Sequence, residues 1–435
     1  MASRAWMVVD LGFGDAGKGA VTDHLVRHEG ARWVIRFNGG AQAGHNVVSP
    51  QGRHHTFSQL GAGTFVPGVR TYLAPPVVFH PGAVRFEAAH LREVGVEDAL
   101  SRLHLASTCR VTTPFHQALG RLRELARGAS PHGTCGVGVG ETVRDALDHP
   151  GDVLRAGDLR DADPGERLER IRHRCLRAAE ALALDLSDPR CEEELALLRD
   201  PEVVLRWREL IAPVLEAIHL EEDEALDDAT FGEGPLVFEG AQGVLLDERA
   251  GFHPHTTWSR CTSEGAEGWL AARALPQLPL RLGVLRIYAT RHGPGPFPSE
   301  APELASLLPE PHNGGPGWQG SFRRGWLDPP LVRYAIAANG GIDGLALTHL
   351  DRLGALPAWQ QVEEHEGLDR PLAPPPAPGE DLEAQAALGR ALASATARLA
   401  PIRARGEAAY LAWLERTLEA PVRFVGRGPA SGALR

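Results

Sequence analysis

Lysine is almost absent from this chain of 435 residues. Of its 45 basic residues 44 are arginine, and the exception is Lys18. A bias that turned nearly every cation into arginine spares a lysine where a planar fork has no room and a compact charge on a thin stem does. Cysteine is scarce too. Cys109, Cys135, Cys175, Cys191 and Cys261 are scattered, odd in number and not in metal-binding spacing, which argues against a disulfide scaffold and fits reduced thiols in a cytoplasm. There is no basic run interleaved with aromatics, and the formal charge is −11, so the surface as a whole does not attract nucleic acid. No apolar run is long enough to span a bilayer, and Met1 to Val9 lacks the apolar stretch of a signal peptide. Among 19 histidines only His54-His55 and His253-Pro254-His255 are close pairs; without other ligands nearby they read as surface or substrate-facing groups rather than zinc sites.

What is present is a globular composition, 43% hydrophobic and 23% charged, large enough for one big domain or two fused ones. The opening reads as a βαβ unit: a strand over Trp6 to Leu11, a glycine turn, a helix over Ala20 to His28 and a strand over Trp33 to Phe37. In such folds ligands sit at the carboxyl ends of the strands. Further apolar strands are expected at Leu236 to Glu239, Leu282 to Ala289, Gly344 to Leu350 and Val422 to Val425. Helical spacing runs from about 160 to 225 and ends in an acidic patch, Glu221 to Asp228, which reads as a solvated loop. A proline-rich linker or surface loop covers 365 to 380, and Glu380 to Leu418 looks helical.

Three segments carry chemistry. Gly12, Gly17 and Lys18 fit a Walker A loop, but Gly19 stands where that motif has its Mg²⁺-binding hydroxyl residue. Glycine N–H groups and the helix start can still cradle an anion. A carboxylate beside a phosphate is unfavourable unless a metal or a proton transfer uses it, which makes Asp15 a candidate base or Mg²⁺ ligand. The second segment, Phe37 to Asn46, is a strand running into a glycine-rich turn that ends at His45, a candidate general acid. The third, Thr348-His349-Leu350-Asp351, resembles the guanine-reading motif of GTP-binding proteins, where the carboxylate accepts from N1–H and the 2-amino group of guanine.

Together these segments resemble the adenylosuccinate synthetase family, and the resemblance runs nearly the length of the chain. Its motifs are matched at Phe13 to Ala20, Gly39 to His45, Gly133 to Gly140, Phe238 to Asp247 (unbroken), Tyr288 to Pro298, Gly325 to Asp328 and Thr348 to Asp351. The resemblance implies a single α/β domain, P-loop-like, around a central, mostly parallel sheet with inserted subdomains (a helical insertion at about 100–225), and a homodimer with its site near the interface. It implies a reaction joining the amino group of aspartate to C6 of IMP, with GTP and Mg²⁺. Asp15 would be base and metal ligand, with Gly44 giving Mg²⁺ a backbone carbonyl. His45 would act on the γ-phosphate as acid, Lys18 would pair with phosphate, and Gln242 would position the base. Gly14, Gly17, Gly19, His349, Asp351, Gly428 and Pro429 would bind GTP. Asn38, Gln42, Thr134, Cys135, His149, Thr257 and Arg323 would face the substrates.

The catalytic set is intact, and the substrate set departs from the family. Gln42 replaces an asparagine at the IMP phosphate, Cys135 replaces a threonine, and His149 stands where an arginine reaches over from the other subunit. Losing that arginine removes about 1.5–3 kcal/mol of charged hydrogen bonding unless another group replaces it. The arginine run that holds aspartate's carboxylates becomes Gly317 to Gly325; aligned with one gap, Arg323 covers one binding arginine and Ser321 replaces the other, and aligned without it neither is covered. His349 replaces the lysine of T-K-L-D. Three functions follow: a divergent adenylosuccinate synthetase, a paralogue acting on another oxo-nucleotide or another amine, and a non-catalytic nucleotide-binding regulator. Retained Asp15, Lys18 and His45 argue against the last, because binding alone needs no base.

Overall fold

A computed structural model describes residues 3–161, 164–222, 231–232, 234–310, 313, 317–369, 371–374, 379 and 381–435. Nine strands make one sheet: β1 (Arg4–Asp10), β2 (Trp33–Arg36), β3 (Arg70–Leu73), β4 (Leu103–Ala106), β5 (His219–Glu221), β6 (Leu236–Glu239), β7 (Leu278–Arg286), β8 (Gly344–Thr348) and β9 (Val422–Val425). Their spatial order is β9-β8-β7-β1-β6-β2-β3-β4-β5. Every adjacent pair is parallel. A parallel sheet needs cover on both faces, so its strands read as unbroken apolar runs. β1 shows how: Ala5 and Met7 join a core with Ile35 and Phe238, whereas Trp6 and Val8 join another with Val34, Val237 and Leu282.

Because all nine strands point one way, their carboxyl ends share one rim of the sheet. Register keeps those ends level: Val8 lies opposite Glu239, Asp10 opposite Val284 and Arg286 opposite Thr348. Asp10, Arg36, Glu239, Arg286 and Thr348 thus end β1, β2, β6, β7 and β8 on the rim where loops hold ligands.

Each strand expected from an apolar run falls on this sheet. The run through Ala289 divides instead: β7 stops at Arg286, and Ala289–His292 pairs antiparallel with Phe322–Gly325. The helical stretch from 160 is three helices, Gly165–Glu180, Pro189–Arg199 and Val203–Ala217, and its end is β5 rather than helix. The acidic patch begins inside β5 with Glu221, and its residues 223–228 lie outside the described residues. The tail is not one helix either. Thr396–Pro401 separates helices at Leu382–Ser394 and Glu407–Leu418 and pairs antiparallel with Gln360–Glu366. That partner strand takes in the start of the proline-rich stretch, of which 370, 375–378 and 380 lie outside the described residues. No helix among the described residues is long and apolar enough to cross a membrane.

Candidate active site

The glycine loop is organised by an acid that the motif does not contain. Asp10, 1% exposed at the end of β1, accepts the Gly12 N–H on Oδ1 (2.9 Å). Its Oδ2 accepts the Ala16 N–H (2.9 Å) and pairs with Lys18 Nζ (2.9 Å). One buried carboxylate therefore closes the loop and holds the lysine, itself 3% exposed, at the first residue of α1 (Lys18–Glu29). Lys18 stays on the wall of the cleft, but its ammonium sits on Asp10. Two close approaches explain nearby glycines. A Cβ on Gly19 would lie 2.9 Å from His45 Cβ, so the hydroxyl residue of a Walker loop has no room there. A Cβ on Gly243 would lie 2.1 Å from the Gly12 carbonyl oxygen, which shows how tightly the loop after β6 lies against the glycine loop.

Asp15 adopts φ +60°, a left-handed conformation that costs a non-glycine residue about 1 kcal/mol or more. Its carbonyl accepts from Arg286 Nε (2.5 Å), and Arg286 is ion-paired with Glu310. The Asp15 carboxylate makes no hydrogen bond among the described residues; His292 Nε2 is 3.5 Å from it. His45 Nδ1 lies 2.6 Å from Glu239 Oε1, and Glu239 Oε2 accepts the Ala62 N–H (2.9 Å). Burial lowers the His45 pKa against the opposing pull of Glu239, while Glu239 is held low against its own desolvation, with Arg36 and the Ala62 N–H favouring its carboxylate form. The pair is then a carboxylate holding a neutral imidazole by its Nδ1–H, which leaves Nε2 buried and without a partner among the described residues. Gln242, also at positive φ, takes a long contact (3.4 Å) from the Gln42 amide on its Oε1; Gln242 Nε2 and Gln42 Oε1 have no partner among the described residues.

At the guanine-like motif, Thr348 Oγ1 donates to the Ala16 carbonyl (2.7 Å), tying β8 to the glycine loop. His349 is partly buried, and its pKa lies well below the ordinary value through desolvation and then Arg286. Asp351, Gly428 and Pro429 line the cleft beside it. At the other end Thr134, Cys135, Thr257, Gly44, His54, His253 and His255 are on the wall. The Cys135 thiol, pushed up to about 12 by desolvation, accepts from Gln319 Nε2 (2.8 Å).

Three expected substrate residues are placed elsewhere. Asn38 is buried, its amide bonded to Ala241 O (3.1 Å) and Ser259 Oγ (3.3 Å) while its oxygen accepts the Ala241 N–H (2.7 Å); it clamps β2 to the loop after β6. His149 lies at the end of a helix, 45% exposed and 3.3 Å from Asp145. Arg323 gives its guanidinium to the carbonyls of Gly293 and Gly295 (3.0 Å each) and to Glu300 (2.5 Å). Asp10, Glu239 and Arg291 join the site without having been singled out. Arg291, 2% exposed, hydrogen-bonds only carbonyls among the described residues, lies 4.1 Å over Phe13 and is lowered to about 9 by burial and then by Arg323.

All this encloses a cleft of about 1160 Å³, above the ~300–1,000 Å³ usual for one small ligand and so roomy enough for two. A parallel sheet whose strand ends converge on a glycine loop, a buried lysine and a carboxylate–histidine pair defines a nucleotide-binding α/β enzyme. The particular family is adenylosuccinate synthetase: its family model matches residues 7–434, and the chain belongs to it. The chain is 33% identical over 363 residues to the adenylosuccinate synthetase of Ralstonia nicotianae, covering 81% of this chain and 77% of the relative. It is 34% identical over 356 residues to that of Shewanella woodyi, covering 80% and 78%. The fully ligated enzyme of Plasmodium falciparum superposes with a TM-score of 0.76 at 21% identity, over 99% of both chains. The cyanophage S-2L succinoaminodeoxyadenylate synthetase, bound to dGMP and dATP, gives 0.62 at 18%, over 100% of this chain and 95% of that one. At such identities the two structures speak for the fold alone. Family membership makes this chain a ligase of the adenylosuccinate synthetase type, a class of purine biosynthesis.

Proposed function

We propose that the chain uses GTP to activate the 6-oxo group of IMP and displaces it with the amino group of L-aspartate, giving adenylosuccinate, GDP and phosphate. The observation that carries this proposal is the Asp15 carboxylate, held at a strained φ on the cleft wall with no hydrogen bond among the described residues. A base with free lone pairs takes the N1 proton of the purine, and the 6-oxyanion then attacks the γ-phosphorus as the bond to GDP breaks. The amine adds at C6, and the C6–O bond breaks with loss of phosphate. His45 lines the same cleft, its Nε2 without a partner among the described residues; phosphate charge placed beside it offsets the desolvation that keeps the ring neutral, so the imidazole becomes a proton donor when nucleotide binds. The Asp15 oxygens and the Gly44 backbone on one wall fit a hard cation, and Mg²⁺ bound there neutralises phosphate charge. Asp351 selects guanine.

One observation favours a different amine. Arg323 and Arg324 turn their guanidiniums to loop carbonyls, and residues 309–322 contain no arginine. Nothing in that loop then offers the two forks that a dicarboxylate wants. The test is phosphate release from GTP with Mg²⁺ and IMP, with and without aspartate, and mass spectrometry of the product. Aspartate-dependent release with an adenylosuccinate mass supports the proposal. Release that needs another amine, or GMP in place of IMP, replaces aspartate or IMP and keeps the activation chemistry.

A further inference from the structure

We infer that Arg144 is this chain's own ligand for the 5′-phosphate of the nucleotide whose 6-oxo group is activated; the inference rests on the ligase reading above. Arg144 lies on a helix, α2 (Val139–Asp148), whose start at Gly138, Val139 and Gly140 lines the cleft, as Arg144 does itself. Its guanidinium carbon is 5.4 Å from the centroid of the Trp258 ring. That indole packs in turn on Gly140, where a Cβ would lie 3.2 Å from Trp258 Cδ1. Stacking on an aromatic face holds the plane of a guanidinium and leaves its N–H edge for a planar or tetrahedral anion.

The charge around it is unbalanced. Glu141 Oε2 is 3.7 Å from Arg144 Nε but closer, at 3.3 Å, to Arg123 Nε, so two arginines share one carboxylate. Arg144 Nε is buried with no hydrogen bond among the described residues. The α2 N-terminus has no side-chain cap, and its free N–H groups add partial positive charge on the same wall. Thr257 immediately precedes Trp258 and lines the same cleft, its backbone N–H fixed on the Leu246 carbonyl (2.8 Å), which brings a hydroxyl-bearing residue to this wall. Cation, helix start and hydroxyl make a set for a phosphate dianion. His149, on the family's arginine position, lies five residues further along, about 7.5 Å down the helix axis, outside the cleft wall.

The test compares nucleotide with nucleoside: affinities of wild type, Arg144→Ala and Arg144→Lys for IMP, GMP, inosine and guanosine by calorimetry, with thermal unfolding as a check on folding. Arg144→Ala is expected to weaken the monophosphates about 10- to 100-fold and the nucleosides less than about 2-fold. Arg144→Lys should recover only part, because an ammonium neither stacks nor forks. An equal loss for nucleotide and nucleoside, no loss at all, or a wild type that does not prefer monophosphates would each overturn the assignment. The measurement needs no turnover, so failure of the ligase chemistry and failure of this phosphate contact register separately.

Discussion

Single residues divide here into those whose chemistry is local and those whose partner is remote. Asp15 and His45 stand out because glycine spacing marks their loops before any fold is known, and Asp351 because a strand ends in T-x-x-D. Replacing Asp15 or His45 with Asn is expected to lower turnover by at least about 10²-fold while nucleotide affinity changes little, as for loss of a general acid or base. Near-normal turnover in either variant, measured beside equilibrium binding of GTP, would remove the proposed proton chemistry. Asp351→Asn should weaken GTP by roughly 10-fold or more and ATP hardly at all, since it loses an acceptor for two guanine donors; a wild type that binds both alike sinks that role. Glu239 was not legible in the same way. It is 194 residues from His45, and only the pairing of β6 with β2, which sets Glu239 opposite Arg36 just upstream of His45, brings the two to one rim. Arg323 is the opposite case: its place in a motif suggested a carboxylate ligand, yet carbonyls of its own hairpin and Glu300 claim its donors.

Elements were legible wherever burial was complete. β1, β6 and β8 are apolar on both faces, so their runs appear without periodicity and cannot be mistaken for a surface helix. The exposed pair Gln360–Glu366 and Thr396–Pro401 was missed because charged, alternating and proline-flanked strands carry little apolar signal, and the pairing that makes them strands is tertiary. The glycine loop is specified at this scale as well, by Asp10 from β1 and by the backbone after β6. A methyl group on Gly243 would overlap the Gly12 carbonyl oxygen and come 2.4 Å from the Gly14 N. Neither contact can yield by a rotamer change, so the two loops must separate. Gly243→Ala is therefore expected to weaken GTP binding at least about 10-fold while the sheet remains folded. Unchanged GTP affinity together with an unchanged circular dichroism spectrum would show that the loop does not depend on this contact.

Across the whole molecule the histidines set the response to acid. Burial lowers His24 (then aided by His28) and His80 (then Arg121) from 6.5 to about 4, and desolvation also lowers His45, His104, His132, His255 and His349. A histidine whose folded pKa lies below its unfolded value is neutral in the native state while the unfolded chain takes a proton. The unfolded state then binds more protons below pH 6.5, and stability falls as pH drops from 6.5 toward about 4. Glu194 and Glu248, raised by burial, act in the other direction: the native state protonates them first and gains stability on acidification. Two such carboxyls do not offset seven histidines across that window. Depressed carboxylates such as Asp152, held low by Arg170, lose their contribution only in stronger acid. The urea midpoint is thus expected to be lower at pH 5.0 than at pH 7.5, and equal midpoints would mean that these rings are solvated or paired in the native state. His45 and His349 belong to the same set, so the imidazoles that line the cleft are kept neutral by the desolvation that makes the free protein acid-sensitive. A bound phosphate supplies negative charge against His45. Bound GTP should therefore narrow the gap between the two midpoints, because the native state can then accept a proton that it otherwise refuses.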